Sequence, residues 1–221
     1  MIGSNPSRMN PHQAQPVLMT GEALEDAQAA ILMMHGRGAT AQDILSLSKE
    51  FDQSGFAYLA PQAAGGTWYP NRFMASIERN EPWLSWALDT VGVVYSRIVE
   101  AGIPPERVML LGFSQGACLA LEYTARNTRR YGGIVGLSGA LIGPEDMQRS
   151  YSGSLAGTPV FLGCSDVDFH IPRERLDHAA EAMRVLRGNV TERLYPNMDH
   201  TINQDEIDFV RGMMQALLAG Q

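Results

Sequence analysis

Cysteine is scarce in this chain. Cys118 and Cys164 are the two in 221 residues, too few for a disulfide scaffold and not at the spacing of a zinc site. Both lie inside apolar runs, which suits a reduced, cytoplasmic protein. Positive charge is scarce as well: 17 Lys and Arg stand against 24 Asp and Glu, a formal net charge of −7. No Lys/Arg cluster relieves that deficit, so neither nucleic acid nor an anionic membrane is an expected partner. No apolar run approaches the roughly 18 residues of a spanning helix, and membrane insertion is not expected. The opening MIGSNPSRMNPHQAQP has no apolar core of the kind a secretory signal needs. Its Pro, Asn, Ser and Gln content predicts a flexible arm over residues 1–16, ahead of a single domain over residues 17–221. Internal repeats and low-complexity linkers are absent from the sequence.

What remains is an ordinary globular composition, 45% hydrophobic and 19% charged, long enough for one sizeable core. Near-continuous apolar runs at residues 29–36, 56–62, 107–114, 132–139 and 159–166 read as strands buried on both faces of a parallel sheet. Residues 190–196 alternate more and read as a strand nearer an edge. Helical patterns separate the runs. TAQDILSLSKEF opens on Thr40 as a cap, residues 81–102 close on Gly102, residues 172–188 close on Gly188, and residues 203–220 form a final amphipathic helix. Strand and helix in alternation predict one α/β domain with a doubly wound, mostly parallel sheet. Ligands of such sheets bind at the carboxyl ends of the strands, which is where chemistry is to be sought.

At one such end the sequence reads VMLLGFSQGACLALEY. A strand that turns at once into a helix needs a tight bend, and Gly112 and Gly116 let the two elements close around Ser114. Ser114 is lifted above the sheet edge, and the helix N-terminus offers free N–H groups at the same spot. GFSQG is therefore a nucleophile elbow in the strand-to-helix context that gives the motif meaning. The nucleophile needs a base. Of five histidines, His12 lies in the arm, His178 inside a helix and His35 too early in the chain. His200, in the late loop YPNMDHTIN, is the candidate. For the acid, GCSDVDFHIP offers Asp166 and Asp168, with His170 nearby, and the pattern does not choose between them. For the oxyanion, the glycine-flanked turn HGRGAT supplies the Arg37 N–H, and the Gln115 N–H beside the nucleophile is the second donor.

Together HGRG, GFSQGA, SDVDFHIP and DHTI, in that order, resemble the phospholipase/carboxylesterase family of α/β-hydrolases, which includes bacterial carboxylesterases and acyl-protein thioesterases. The likeness covers roughly residues 29–218. It implies an α/β-hydrolase fold without a large cap domain, and a serine carboxylesterase acting on small to medium esters, with thioesters in scope. The family's aspartate lies four residues before a proline, which by resemblance selects Asp168 before Pro172; its nucleophile falls on Ser114, its histidine on His200 and its oxyanion amides on Arg37 and Gln115. The turn reads Gly-Arg-Gly-Ala-Thr where thioesterases often carry Gly-Leu-Gly-Asp, which argues against a long-chain lipid substrate. The Arg37 side chain then meets either a carboxylate on the substrate or water. By the same resemblance the loop over residues 65–84 lines the substrate pocket, with Trp68, Tyr69, Phe73 and Met74 as candidates and Met198 a further one; the same apolar residues would serve a subunit contact in a homodimer equally well. No metal or organic cofactor is signalled, since GxGxxG and P-loop motifs are missing and the histidines are scattered. Two rivals stand beside this reading: a dienelactone-hydrolase-like lactonase, which usually carries cysteine at the elbow, and a non-catalytic binding protein on the same fold.

Overall fold

The computed structural model describes residues 9–220. Its centre is a seven-stranded sheet built from β1 (Val17–Gly21), β2 (Ala29–Met34), β3 (Phe56–Pro61), β4 (Val108–Phe113), β5 (Gly133–Leu137), β6 (Pro159–Ser165) and β7 (Asn189–Tyr195). The strand order is β1-β3-β2-β4-β5-β6-β7. Every pairing is parallel except that of β1 with β3. β1 has no counterpart among the predicted strands. Its residues are half-buried or exposed, as an edge strand with one covered side requires, so VLMTG carries no continuous apolar signal.

The inner strands are buried along their length because each serves two cores. Ala30, Leu32 and Met34 of β2 face one apolar cluster and Ala29, Ile31 and Met33 the other. Val108 and Leu110 divide from Met109 and Leu111 in the same way on β4. A period of two sends successive side chains to opposite faces, and helices on both faces make both sets apolar. One face is covered by α4 (Trp83–Glu100), α5 (Gln115–Arg126) and α6 (Arg173–Val185). The other is covered by α1 (Ala41–Leu45), α2 (Leu47–Phe51) and α7 (Gln204–Ala219); a single short turn of helix, α3 (Ile77–Asn80), lies in the loop before α4.

The helix ends follow their local chemistry. Thr40 caps α1 and Asn203 caps α7, each in a reciprocal box with the acid three residues on, Asp43 and Glu206. The end of α6 differs from expectation. The left-handed residue is Arg187, at φ 62°, not Gly188. The Arg187 amide donates to the Arg184 carbonyl and the Gly188 amide to the Met183 carbonyl, both at 2.8 Å. That is a Schellman closure. Gly188 serves packing instead, since a Cβ there would stand 3.0 Å from both the Met183 carbonyl oxygen and a Val160 methyl.

Residues 1–8 of the expected flexible arm lie outside the described residues. The part that is described does not fray at His12, which is 1% exposed. Its ring lies against Trp68 and Trp83, its Nδ1 accepts the Ala64 amide at 3.0 Å, and its Nε2–H donates to the Trp68 carbonyl at 3.0 Å. A buried imidazole with both nitrogens occupied ties the chain entry to the loop after β3.

Candidate active site

β4 runs into α5 with Ser114 as the only residue between them. The junction is as tight as the glycines predict. A Cβ on Gly112 would overlap the Gly116 carbonyl, and one on Gly116 would overlap the Met34 carbonyl. Ser114 itself sits at φ 54°, ψ −119°. A non-glycine residue in that region costs on the order of 1–3 kcal/mol, tolerated where the surroundings enforce it. Here the Ser114 amide donates to the Leu137 carbonyl at 2.9 Å and its own carbonyl accepts from Cys118 at 3.0 Å, which pins both sides of the peptide.

The loops after β6 and β7 bring two further side chains to the same strand ends. Ser114 Oγ–H donates to His200 Nε2 at 2.8 Å, and His200 Nδ1–H donates to Asp168 Oδ2 at 2.7 Å. The other carboxylate oxygen of Asp168 accepts the His170 amide at 2.7 Å and the Ile171 amide at 3.1 Å. Burial opposes ionisation of Asp168, but the hydrogen bond from His200 and those two amides outweigh it, holding the carboxyl below the usual carboxylate range. An ionised carboxylate is acceptor only, which fixes the His200 tautomer with its proton on Nδ1. Cys164 Sγ lies 3.7 Å from Asp168 Oδ2; burial pushes its thiol up to about 12, so it stays protonated. Asp166, left open by the pattern, instead accepts the Asn197 amide at 2.8 Å and joins the β6 and β7 loops.

Arg37 and Gln115, the two residues expected at the oxyanion site, lie at the same cleft. Among the described residues the amide N–H groups of Arg37 and Gln115 have no acceptor, and both residues line one cleft with Ser114 and His200. Their side chains do something the sequence did not suggest. The Gln115 amide oxygen accepts the Trp68 N–H at 2.9 Å and its nitrogen donates to the Tyr69 carbonyl at 2.8 Å. The Arg37 guanidinium, though exposed, is engaged by backbone. It donates to the carbonyls of Pro70 at 3.0 Å, Tyr69 at 2.9 Å and Asn71 at 2.6 Å. His35 closes the same cluster: its Nδ1–H donates to the Gly36 carbonyl at 2.8 Å and its Nε2 accepts the Ala63 amide at 3.1 Å. Burial lowers the pKa of both His12 and His35, which suits imidazoles held as neutral donor-and-acceptor braces.

The cleft encloses about 230 Å³ and is lined by Arg37, Tyr69, Arg72, Phe73, Cys118, His170 and Ile171 around the Ser114–Gln115 elbow and His200. Of the expected pocket residues, Tyr69 and Phe73 are in place. Trp68 is not: it is fully buried between the rings of His12 and His35, with its indole N–H on the His35 carbonyl at 2.9 Å. Met74 packs on the core, and Met198 accepts a contact from the Asn203 amide at 3.0 Å; neither lines the cleft. Because Trp68, Tyr69 and Phe73 are all buried, they do not offer a subunit contact either. Cys118, His170, Ile171 and Arg72 were not among the candidates. Cys118 was within reach of the sequence, lying one helical turn after Ser114 and so on its face of α5. A larger groove of about 1100 Å³ runs along α7 at the opposite, amino-terminal ends of the strands, where Gly132 and Pro159 line it with Phe209 and Met213. It is lined by no serine, cysteine or histidine. Among the described residues no group of acids, cysteines and histidines is arranged to hold a metal ion, and no helix is long and apolar enough to cross a membrane.

Comparison with known proteins agrees with this fold. The phospholipase/carboxylesterase family profile matches residues 18–218. Acyl-protein thioesterase 1 of Saccharomyces cerevisiae is 25% identical over 228 residues, covering 91% of this chain and 98% of the relative. Acyl-protein thioesterase 1 of Gibberella zeae is 33% identical over 129 residues; that match spans 54% of this chain and about half, 52%, of the relative. Among solved structures, a phospholipase/carboxylesterase from Dyadobacter fermentans superposes with a TM-score of 0.88 at 41% identity, over 91% of this chain and 96% of the other. With a seven-stranded, mostly parallel sheet and a serine elbow at its carboxyl edge, the chain belongs to the phospholipase/carboxylesterase family of α/β-hydrolases.

Proposed function

We propose that this hydrolase cleaves small to medium carboxylic esters, and thioesters of similar size, through an acyl-enzyme on Ser114. The observation that carries the reading is the continuous relay from Ser114 Oγ through His200 to the buried Asp168 carboxylate, 2.8 Å and 2.7 Å long. As Ser114 attacks the carbonyl carbon, His200 Nε2 takes its proton and then delivers it to the leaving oxygen or sulfur. Asp168 stays ionised and stabilises the imidazolium that forms between these steps. The Arg37 and Gln115 amides stand free to bind the oxyanion, each worth roughly a hundredfold or more in rate. Water then repeats the cycle on the acyl-enzyme, with His200 as base. A cleft of about 230 Å³ falls below the usual range for drug-sized ligands, which supports short acyl groups. The two buried, unpaired thiols suit a reducing compartment such as the cytoplasm.

Hydrolysis of a p-nitrophenyl ester series from acetate to palmitate, by wild type and Ser114→Ala in parallel, tests the proposal. Turnover of the short esters that is lost in Ser114→Ala is the expected result. Equal activity in both proteins would remove Ser114 from the chemistry, and equal inertness would favour a binding protein.

A further inference from the structure

The cleft has a charge the rest of the molecule does not share. The chain as a whole carries a formal charge of −7, yet among the described residues no carboxylate lines the cleft. Its ionisable walls are Arg37, Arg72, His170, His200, Tyr69 and Cys118. The last two contribute no negative charge, because burial holds the Tyr69 phenol well above its ordinary value and the Cys118 thiol up to about 11. Glu122, the buried acid on the same helix as Cys118, is already engaged by Arg126 at 2.7 Å, by the Tyr151 hydroxyl at 3.0 Å and by the Ile142 amide at 3.1 Å. Behind Phe73 a further guanidinium, Arg175, lies 4.9 Å from the ring centroid, buried, with its Nη1 unpartnered among the described residues.

The two arginines of the cleft differ in one respect. Arg37 is consumed by three backbone carbonyls, whereas the Arg72 guanidinium has no hydrogen-bond or ion-pair partner among the described residues. Its backbone is nevertheless held. Asn80, fully buried, accepts the Asn71 amide at 2.8 Å and donates to the Arg72 carbonyl at 3.3 Å. An exposed arginine on a pinned backbone, with its charge unspent and lining the same cleft as the nucleophile, is suited to receive a planar anion.

We propose that Arg72 selects substrates bearing a carboxylate a few bonds from the scissile carbonyl, namely half-esters of short dicarboxylic acids. The inference rests on the esterase reading of Ser114 and names its substrate class. The carboxylate is recognised and unchanged; the bonds made and broken are those of the acyl transfer above. The low-dielectric walls supplied by Tyr69, Phe73 and Ile171 strengthen the attraction relative to open water, and the cationic cleft on an acidic protein focuses anions toward the serine.

The test is a matched pair: p-nitrophenyl butyrate and mono-p-nitrophenyl succinate, which carry acyl groups of similar length and differ in one carboxylate. The readout is the ratio of kcat/KM for the charged over the neutral ester, in wild type and Arg72→Gln. Wild type should favour the charged ester, and the ratio should fall about fivefold in Arg72→Gln, as for a partly exposed ion pair; misfolding would lower both rates and leave the ratio alone. A wild-type ratio at or below one, or a ratio unmoved by Arg72→Gln, overturns the proposal and leaves Arg72 a solvated side chain. Should wild type cleave neither ester, the esterase reading fails, and calorimetric binding of monoethyl succinate to Ser114→Ala with and without Arg72→Gln decides the question by itself. Binding weakened about fivefold by the second substitution supports anion recognition, and equal binding, or none, refutes it.

Discussion

The Tyr69 carbonyl has two donors, Arg37 and Gln115, and this redundancy makes a quantitative prediction. In Gln115→Leu the buried Trp68 amide loses the one acceptor it has among the described residues, while the Tyr69 carbonyl keeps the Arg37 guanidinium at 2.9 Å. Leaving one buried N–H unsatisfied costs about 1–3 kcal/mol, so a loss of about 2 kcal/mol is expected. In Arg37→Met the Pro70 and Asn71 carbonyls turn to water and Tyr69 keeps Gln115, and about 1 kcal/mol is expected from these mostly exposed bonds. The double variant strips Tyr69 of both donors. Its carbonyl then pays a desolvation penalty that neither single variant incurs, and the pair should cost about 1 kcal/mol more than the sum of the singles. Chemical denaturation of the four proteins, with m-values compared to confirm an unchanged transition, closes the cycle. Additivity within about 0.3 kcal/mol, or a double variant less damaged than the sum, would show that the two side chains do not share the carbonyl and would refute the clamp.

Three further outcomes follow from the geometry. Gly116→Ala places a methyl on the Met34 carbonyl, a backbone atom that has nowhere to move, so the loss should reach the upper end of the 1–3 kcal/mol typical of overpacking, read as a fall in Tm of several degrees. Asp168→Asn keeps the shape but removes the acceptor that fixes the His200 tautomer; kcat should drop by about 10³ to 10⁴ while Tm changes little, and a drop under tenfold would contradict the relay. Glu206 is buried with one carboxylate oxygen unpartnered among the described residues, and burial raises its pKa to about 7. A carboxyl whose folded value is raised stabilises fully below its ordinary range near 4.5 and loses that contribution as pH climbs through about 7. Glu206→Gln, which cannot ionise, should therefore gain in Tm relative to wild type as pH rises from 5 to 8; a gap that stays constant would show that Glu206 does not titrate in this range.

Much of the architecture was legible because it is written in near-neighbour patterns. Runs such as AAILMM and VMLLGF declare strands buried on both faces, and Thr40 with Asp43 declares a helix start, without reference to anything far along the chain. β1 escaped because an edge strand with one covered face needs no apolar run. The closure of α6 was read one residue late because a left-handed residue is usually glycine, and Arg187 takes that role while Gly188 makes room for Val160. The elbow, with Asp168 and His200 after it, was visible as motifs in order, although the choice of Asp168 over Asp166 rested on likeness to a family. Trp68 was misplaced for a different reason. An aromatic residue on a glycine-rich loop looks the same in sequence whether it lines a cleft or fills a core.

The sequence by itself, then, determined six of the seven strands, the longer helices between them and the bend sharp enough to lift a serine above the strands. Each of these depends on residues within a few positions of one another, where sterics and hydrophobic period act locally. The tertiary structure alone decided which carbonyls hold Arg37, that Gln115 braces the loop beside its own free amide, that His12 is core, and that Arg72 lines the cleft with no partner among the described residues. Those outcomes depend on where segments of chain distant in sequence meet, 33 to 56 residues apart. A polar side chain takes whichever partner burial brings to it, and no local pattern records that partner.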